Sequence, residues 1–486
     1  MTLGADMLTG RGSAGIAWIF CSVLIGMTSA IATAAEIEVP AGRRQLFLDD
    51  EIIAELQGLK RTLHAPRKLG AVIRGSTPRE TIQIRTAPVW DRDASVYKLW
   101  LLSSERPLWI SADGLHWTPG PTPNLRTDHV VYDPDDPDPN RRFKAAQTND
   151  YFAVSPDGVT WTRLPVEKVP SSDESNLSFD PSEKLFIHSV KRGGTYGRSV
   201  AIAVSRDFQH WDDYGIVFQA DDEDQQRGAE TIRRRIADPT LIPLFSVDEQ
   251  VFRVDVYNMG VFRYEGQYIG LPAMYHATGP EPNYPNTDGF HVIQLAVSRD
   301  LRHWQRVADR AVFIGPSRLE SGAYDLTQIL PPSAPVVHGD ELWFYYTGLK
   351  YRSTFVYEGT YPNGHTIDKP GLDPDRGAVC LAVLRRDGFV SLAPVDHEGV
   401  LLTKAFVLPG STLYLNLEPA EQGQAVVEIV GQDNSVVAAS EPMTRGGVRV
   451  PVVWQPGTDL QPLVGKNVQL RVRLRDCALY AFEPGK

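Results

Sequence analysis

Repeats of one seven-residue hairpin, each entered through a short β-type run, predict an all-β protein: a five-bladed β-propeller followed by a C-terminal β-sandwich. Ser111-Ala112-Asp113-Gly114-Leu115-His116-Trp117 recurs at 155–161, 205–211 and 298–304, and a degenerate fifth copy at 385–391 keeps Asp387-Gly388 but loses the Ser and the Trp. Upstream of each copy lie two more strand-like runs, which makes four short antiparallel strands per unit. After Pro394 the pattern changes to strict alternation. Leu413, Leu415 and Leu417 alternate, as do Val468, Leu470, Val472 and Leu474, with Arg471, Arg473 and Arg475 on the other face. A period of two marks half-buried antiparallel strands.

Taken in order, residues 1–35 read as an export signal. Arg11 precedes an uncharged stretch at 13–35, and Ala32-Thr33-Ala34 offers a cleavage site before Glu36. This predicts a periplasmic or extracellular protein, free of the membrane after cleavage. An uncleaved anchor is the alternative, since 23 uncharged residues are enough to span a bilayer. Residues 36–79 form an N-terminal segment in which Gln45-Leu46-Phe47-Leu48-Asp49-Asp50 is expected to close the ring against the last blade. Residues 80–394 hold the five blades. Their inner runs start near Ala87, His129, Leu177, Phe252 and Gln328. The acidic run Asp221-Asp222-Glu223-Asp224 is expected in a solvated loop, and helix signals are few. Residues 395–486 form the sandwich.

Each hairpin has a physical rationale. Asp folds onto nearby backbone N–H groups, Gly supplies a positive φ where present, and Trp opens the outgoing strand. The repeat aspartates Asp113, Asp157, Asp207 and Asp300 are therefore structural. Gly 40 and Pro 36 in 486 residues supply the turns that such a ring requires. The net charge of -11 without a basic block excludes a nucleic-acid reader. Beyond the signal only Cys380 and Cys477 remain, which excludes a disulfide framework and leaves one bridge open. No clustered Cys/His spacing suits zinc, and the HExxH, P-loop, GxGxxG and GxSxG patterns are absent. No metal and no cofactor are expected.

Several stretches carry a resemblance: Leu46-Phe47-Leu48-Asp49-Asp50, the hairpins, the proline-rich acidic stretch 133–144, residues 384–392 and Leu479-Tyr480-Ala481-Phe482. Over nearly the whole mature chain they resemble the invertase/levanase-type glycoside hydrolases of family 32 and the related arabinanase-like propellers of family 43. The resemblance implies a carbohydrate-active propeller. The WMNDPNG-like, RDP and EC motifs of true invertases are absent, so β-fructosidase activity is not implied. A sialidase is the weaker match, because its Asp-box places Gly one residue later.

A ligand of such a ring sits over the axis, where the innermost strand of each blade begins. Glycoside hydrolysis needs one carboxylic acid to protonate the leaving oxygen and a second carboxylate as base or nucleophile. The carboxylates at the first-strand starts nominate Glu80, Asp173, Asp255 and Asp325, with Glu320 in reserve. Arg85, His129, Asn176 and Arg198 would hold sugar hydroxyls, and Tyr257 and Tyr345 would offer apolar faces. Each has a plainer reading: a satisfied strand histidine, an arginine paired with a carboxylate, a tyrosine packed between blades. The expected partner is an oligo- or polysaccharide, met either by a glycosidase or by a non-catalytic propeller that binds polysaccharide or protein.

Overall fold

The structure, a computed structural model, describes residues 37–77, 80–102, 104–280, 286–352, 359–360, 366–367, 375–431 and 434–485. The expected signal lies outside them. Four sheets follow one another along the chain, with inner strands at Val89–Asp91, His129–Tyr132, Ser175–Asp180 and Arg253–Tyr264. A fifth runs outward from Gln328–Leu330 through Glu341–Leu349 and Gly377–Arg385. These are the five blades.

Each blade buries both faces, so its strands read as near-continuous apolar runs. A separate apolar core fills every seam between neighbours. Trp100, Val130, Phe143 and Trp161 join blades one and two. Phe152, Phe186 and Phe208 join two and three, and Ile202, Val256 and Met274 join three and four. Leu271, Ile329 and Phe344 pack between four and five, and Leu99, Trp117, Tyr345 and Leu381 between five and one.

The repeated hairpin builds these seams. Asp113 Oδ1 accepts the backbone N–H groups of Leu115 and His116 at 2.9 and 2.8 Å, and Trp117 Nε1 donates to Gly114 O at 2.8 Å. Asp157, Asp207 and Asp300 repeat the two backbone contacts. The residue after Asp has a positive φ in all four copies: Gly114 76°, Gly158 74°, Phe208 58° and Leu301 65°. Phe208 and Leu301 tolerate this left-handed conformation because their side chains are buried in the seam. The hairpin tip leans on the preceding blade. Tyr345 Oη donates to Gly114 O at 2.8 Å, and Trp100 Nε1 to Gly158 O at 3.2 Å.

Ring closure corrects one expectation. Gln45–Leu46 does not close the ring; it pairs with Phe482 and Ala481 of the last strand, Asn467–Pro484. The closing strand is Arg67–Arg74, which pairs with Gly377–Arg385 as the outer strand of blade five. Val390–Pro394, after the degenerate fifth hairpin, leaves the blade and pairs instead with Leu59–Leu63 and the last strand. That departure accounts for the missing Trp, since no outgoing blade strand exists there for it to start.

The C-terminal sheet has ten strands, dominated by the antiparallel pair Leu413–Val430 and Asn467–Pro484. Its core contains Leu415, Leu417, Val427 and Ile429 with Leu470, Val472 and Leu474, and takes in Val39, Phe47 and Ile52 from the chain's start. Cys380 in blade five and Cys477 in this sheet are buried and free.

The acidic run is not a solvated loop. It opens the helix Asp222–Ala237, where Asp221 Oδ1 accepts Asp224 N–H at 2.9 Å and Asp224 returns the contact to Asp221 N–H at 3.2 Å. This is a reciprocal capping box with acids in the first turn, opposite the helix dipole. Arg310 bridges Asp221 and Asp224 at 2.7 and 2.8 Å and ties the helix to blade four.

Candidate functional site at the axial mouth

Polar side chains on the inner strands tie the blades around the axis. Asn176 Nδ2 donates to Arg85 O at 2.6 Å and to Pro331 O at 3.3 Å, and its Oδ1 accepts Asn258 Nδ2 at 3.1 Å. One amide thereby joins blades one, three, four and five. Asn176 is a buried structural hub, not a free donor for a sugar hydroxyl. His129 is likewise enclosed. Its Nε2 meets Thr148 Oγ1 at 3.0 Å, its buried Nδ1 has no partner, and burial pushes the ring down to about 4, against the pull of Asp128.

Above this hub lies a cluster of ion pairs from blades one, three and four. Arg85 is buried and grips Glu174 with two nitrogens, Nε–Oε2 at 2.5 Å and Nη2–Oε1 at 2.7 Å. Lys191 Nζ donates to Asp173 Oδ1 at 2.6 Å. Arg198 Nη1 donates to Asp255 Oδ2 at 2.8 Å, and its Nη2 reaches Asn286. Tyr257 stands among them. Lys191 Nζ lies 3.6 Å from its ring centroid, and the guanidinium carbons of Arg198 and Arg352 lie 5.5 and 6.0 Å away. Lys191 thus occupies a face of the ring that was expected to stack on a sugar, and Tyr257 acts as a platform for cations.

The two inner carboxylates are displaced in opposite directions. Burial opposes ionisation of Glu174, but the Arg85 charge and its hydrogen bonds outweigh it and hold the carboxyl below the usual range. Burial dominates at Asp255 and raises it, with Arg198 pulling the other way. Asp255 is fully enclosed, and its Oδ1 has no partner. Asp173 is exposed, at 66 % of its side chain. Burial lowers the Lys191 ammonium, with Glu174 and Asp173 opposing. Burial raises the Tyr257 phenol, reinforced by Glu174.

Of the nominated residues, Arg85, Asp173, Arg198, Asp255 and Tyr257 therefore meet at one place, and His129 and Asn176 lie beneath them. Glu80, Asp325 and Tyr345 do not join them. Glu80 accepts from Ser76 N, Glu105 N and the Ser104 hydroxyl, so it holds a loop of blade one. Asp325 pairs with Lys68 at 2.6 Å and accepts Tyr346 Oη at 2.9 Å, inside the packing of blade five. Tyr345 is buried against Trp117 in the seam with blade one. Glu320 falls in the short turn Leu319–Ser321, and its side chain lies outside the described residues. Asp49, in the run 45–50, is held by Arg299 at 2.9 Å.

Glu174, Lys191 and Arg352 were not nominated. Glu174 adjoins the nominated Asp173. Lys191 lies in the last half of the long second strand of blade three, Leu185–Gly194, and Arg352 follows the second strand of blade five, Glu341–Leu349. Second strands end at the face where first strands begin, so strand ends carried the signal as well as strand starts. Among the described residues no His/Cys/Asp/Glu group is arranged to hold a metal ion.

No family model and no curated protein matches this chain. Among solved structures, an N-acetylgalactosamine deacetylase from F. plautii in complex with blood group B trisaccharide is 14 % identical, with 68 % of this chain and 97 % of that one covered and a TM-score of 0.37. A GH32 β-fructofuranosidase of Bombyx mori is 12 % identical, with coverages of 87 % and 95 % and a TM-score of 0.37. A β-fructofuranosidase of Schwanniomyces occidentalis complexed with fructosyl-erythritol is 12 % identical, with coverages of 86 % and 97 % and a TM-score of 0.34. The five-bladed propeller itself is established by the strand pairings of this chain, and its function is argued from the residues at the mouth.

Proposed function

We propose that this protein binds a glycan at the axial mouth of its propeller. The observation that carries the reading is the convergence of Arg85–Glu174, Lys191–Asp173 and Arg198–Asp255 around Tyr257. Paired charges held in place present donors and acceptors in fixed directions, which suits a ligand dense in hydroxyls. Because each carboxylate already has its own cation, the set favours binding over an array of free acids.

Hydrolysis of a glycosidic bond is the second reading, favoured by the opposed displacement of two carboxyls. Glu174 is held ionised, as a base or nucleophile requires, and Asp255 is raised, as a general acid requires. Environments that push paired carboxyls apart divide acid from base.

The test is a glycan panel read by calorimetry for binding and by chromatography for released product. Asp173→Asn, at an exposed side chain, is expected to weaken binding about tenfold, or about 1.4 kcal/mol, with little change in melting temperature. A protein that binds no glycan, or binds one equally well in wild type and variant, overturns the reading. Product release lost at least a hundredfold in both Glu174→Gln and Asp255→Asn supports hydrolysis. Binding without release on every glycan rejects it.

A further inference from the structure

Arg352 is 3 % exposed, yet among the described residues no carboxylate lies within ion-pair distance of it. Its Nε donates to Thr287 O at 2.7 Å, its guanidinium sits 4.2 Å from the Tyr275 ring centroid, and its buried Nη1 has no acceptor. An unpaired buried guanidinium is costly, and aromatic faces offset only part of that cost. The neighbours do not neutralise it. Asp173, Glu174 and Asp255 already have Lys191, Arg85 and Arg198. Asp288 feels the Arg352 charge but directs its oxygens at the backbone N–H groups of Phe245, Ser246 and Gly289, at 2.6, 3.1 and 2.8 Å. His291, edge-on to the Tyr257 ring and tilted against Tyr275, is buried with both ring nitrogens bare. One cation without an ion-pair partner and a histidine with bare ring nitrogens thus lie together beside Tyr257 and Tyr275.

From this buried guanidinium without an ion-pair partner we propose that the sugar entering the mouth is anionic, and that Arg352 is the residue that selects its negative group. The inference rests on the glycan reading above and adds the class of ligand. The shared chemistry is an oxyanion on a sugar ring, either a uronate carboxylate or a sulfate ester.

The experiment measures affinity for oligogalacturonides against their methyl esters, in which the carboxylate charge is removed, and for κ-carrageenan oligosaccharides against the same chains desulfated. The charged member of one pair is expected to bind at least tenfold more tightly, and the pair that shows this identifies the carboxylate or the sulfate. Arg352→Gln should collapse that ratio toward one, while Arg352→Lys restores part of it. D-galacturonate against D-galactose, read by thermal shift, tests the anion site without a polymer.

Equal affinity within both pairs overturns the anionic assignment and leaves the glycan reading standing. A ratio unchanged in Arg352→Gln overturns the role of Arg352. Stabilisation by galacturonate that disappears in Arg352→Gln, with no oligosaccharide bound, upholds the anion site and rejects the glycan reading.

Discussion

At the scale of single residues, Gly114 and Tyr345 show how an interblade seam is fastened. A Cβ added at Gly114 would stand 2.6 Å from the Tyr345 hydroxyl oxygen, on a backbone whose φ is +76°. Gly114→Ala therefore combines left-handed strain with overpacking and should cost about 2–4 kcal/mol. Tyr345→Phe loses one hydrogen bond and should cost about 1 kcal/mol. Because the phenylalanine also removes the obstructing oxygen, the double variant should cost less than the sum of the two. Urea denaturation of the four proteins tests this, and strict additivity would refute the contact. Tyr345 also shows why candidate site residues were only partly legible. Of Tyr345 and Tyr346, adjacent on one strand, one must face a seam, and both do. Charged residues at strand starts were readable as a set, but which carboxylate turns toward the axis depends on partners far along the chain. Glu174 finds Arg85, 89 positions away, whereas Asp325 finds Lys68 in the closing strand.

At the scale of elements, the blades were legible because the hairpin is a local device: Ser, Asp and Trp act within seven residues. Closure was not, because it joins residues about 300 positions apart, as in Ile73 beside Val379. The sequence of Arg67–Arg74 begins and ends on cations and lacks a clean period-two alternation, so it does not read as a blade strand until its partner is known. The helix Asp222–Ala237 was obscured by its charge, although an acid at the N-cap with another three residues later is a readable start signal. A chain beginning at residue 75 lacks the outer strand of blade five and the strands Ile53–Gln57 and Leu59–Leu63 of the C-terminal sheet. It is expected to lose cooperative unfolding, whereas a chain beginning at Ile37 retains it. Circular dichroism during thermal melting checks both. A sharp transition in the shorter chain would show that the closing strand is dispensable.

For the whole molecule, acid should loosen the fold through its buried histidines. Burial drives His129 and His276 down to about 4, His188 to about 3, and His291 well below the ordinary 6.5. Below pH 6.5 the unfolded chain takes up protons at these rings and the folded chain does not. Stability is thus intact above about pH 6.5 and falls as the pH drops toward about 4, by up to about 1.4 kcal/mol per pH unit for each ring. Melting temperatures between pH 4.5 and 7.5 measure the slope, and His188→Leu should flatten it. A melting temperature independent of pH across that window would contradict neutral burial. Gly42 N–H donates to Pro484 O at 2.7 Å, so the first and last strands lie side by side. The described chain is therefore nearly a closed loop, and the position of its ends is interchangeable with other surface breaks. A circular permutant that joins 485 to 37 through a short linker and opens at the exposed turn between Glu183 and Lys184 should keep the same ring. Its blade three would then be completed by strands from opposite ends of the new chain, as blade five is in the native order.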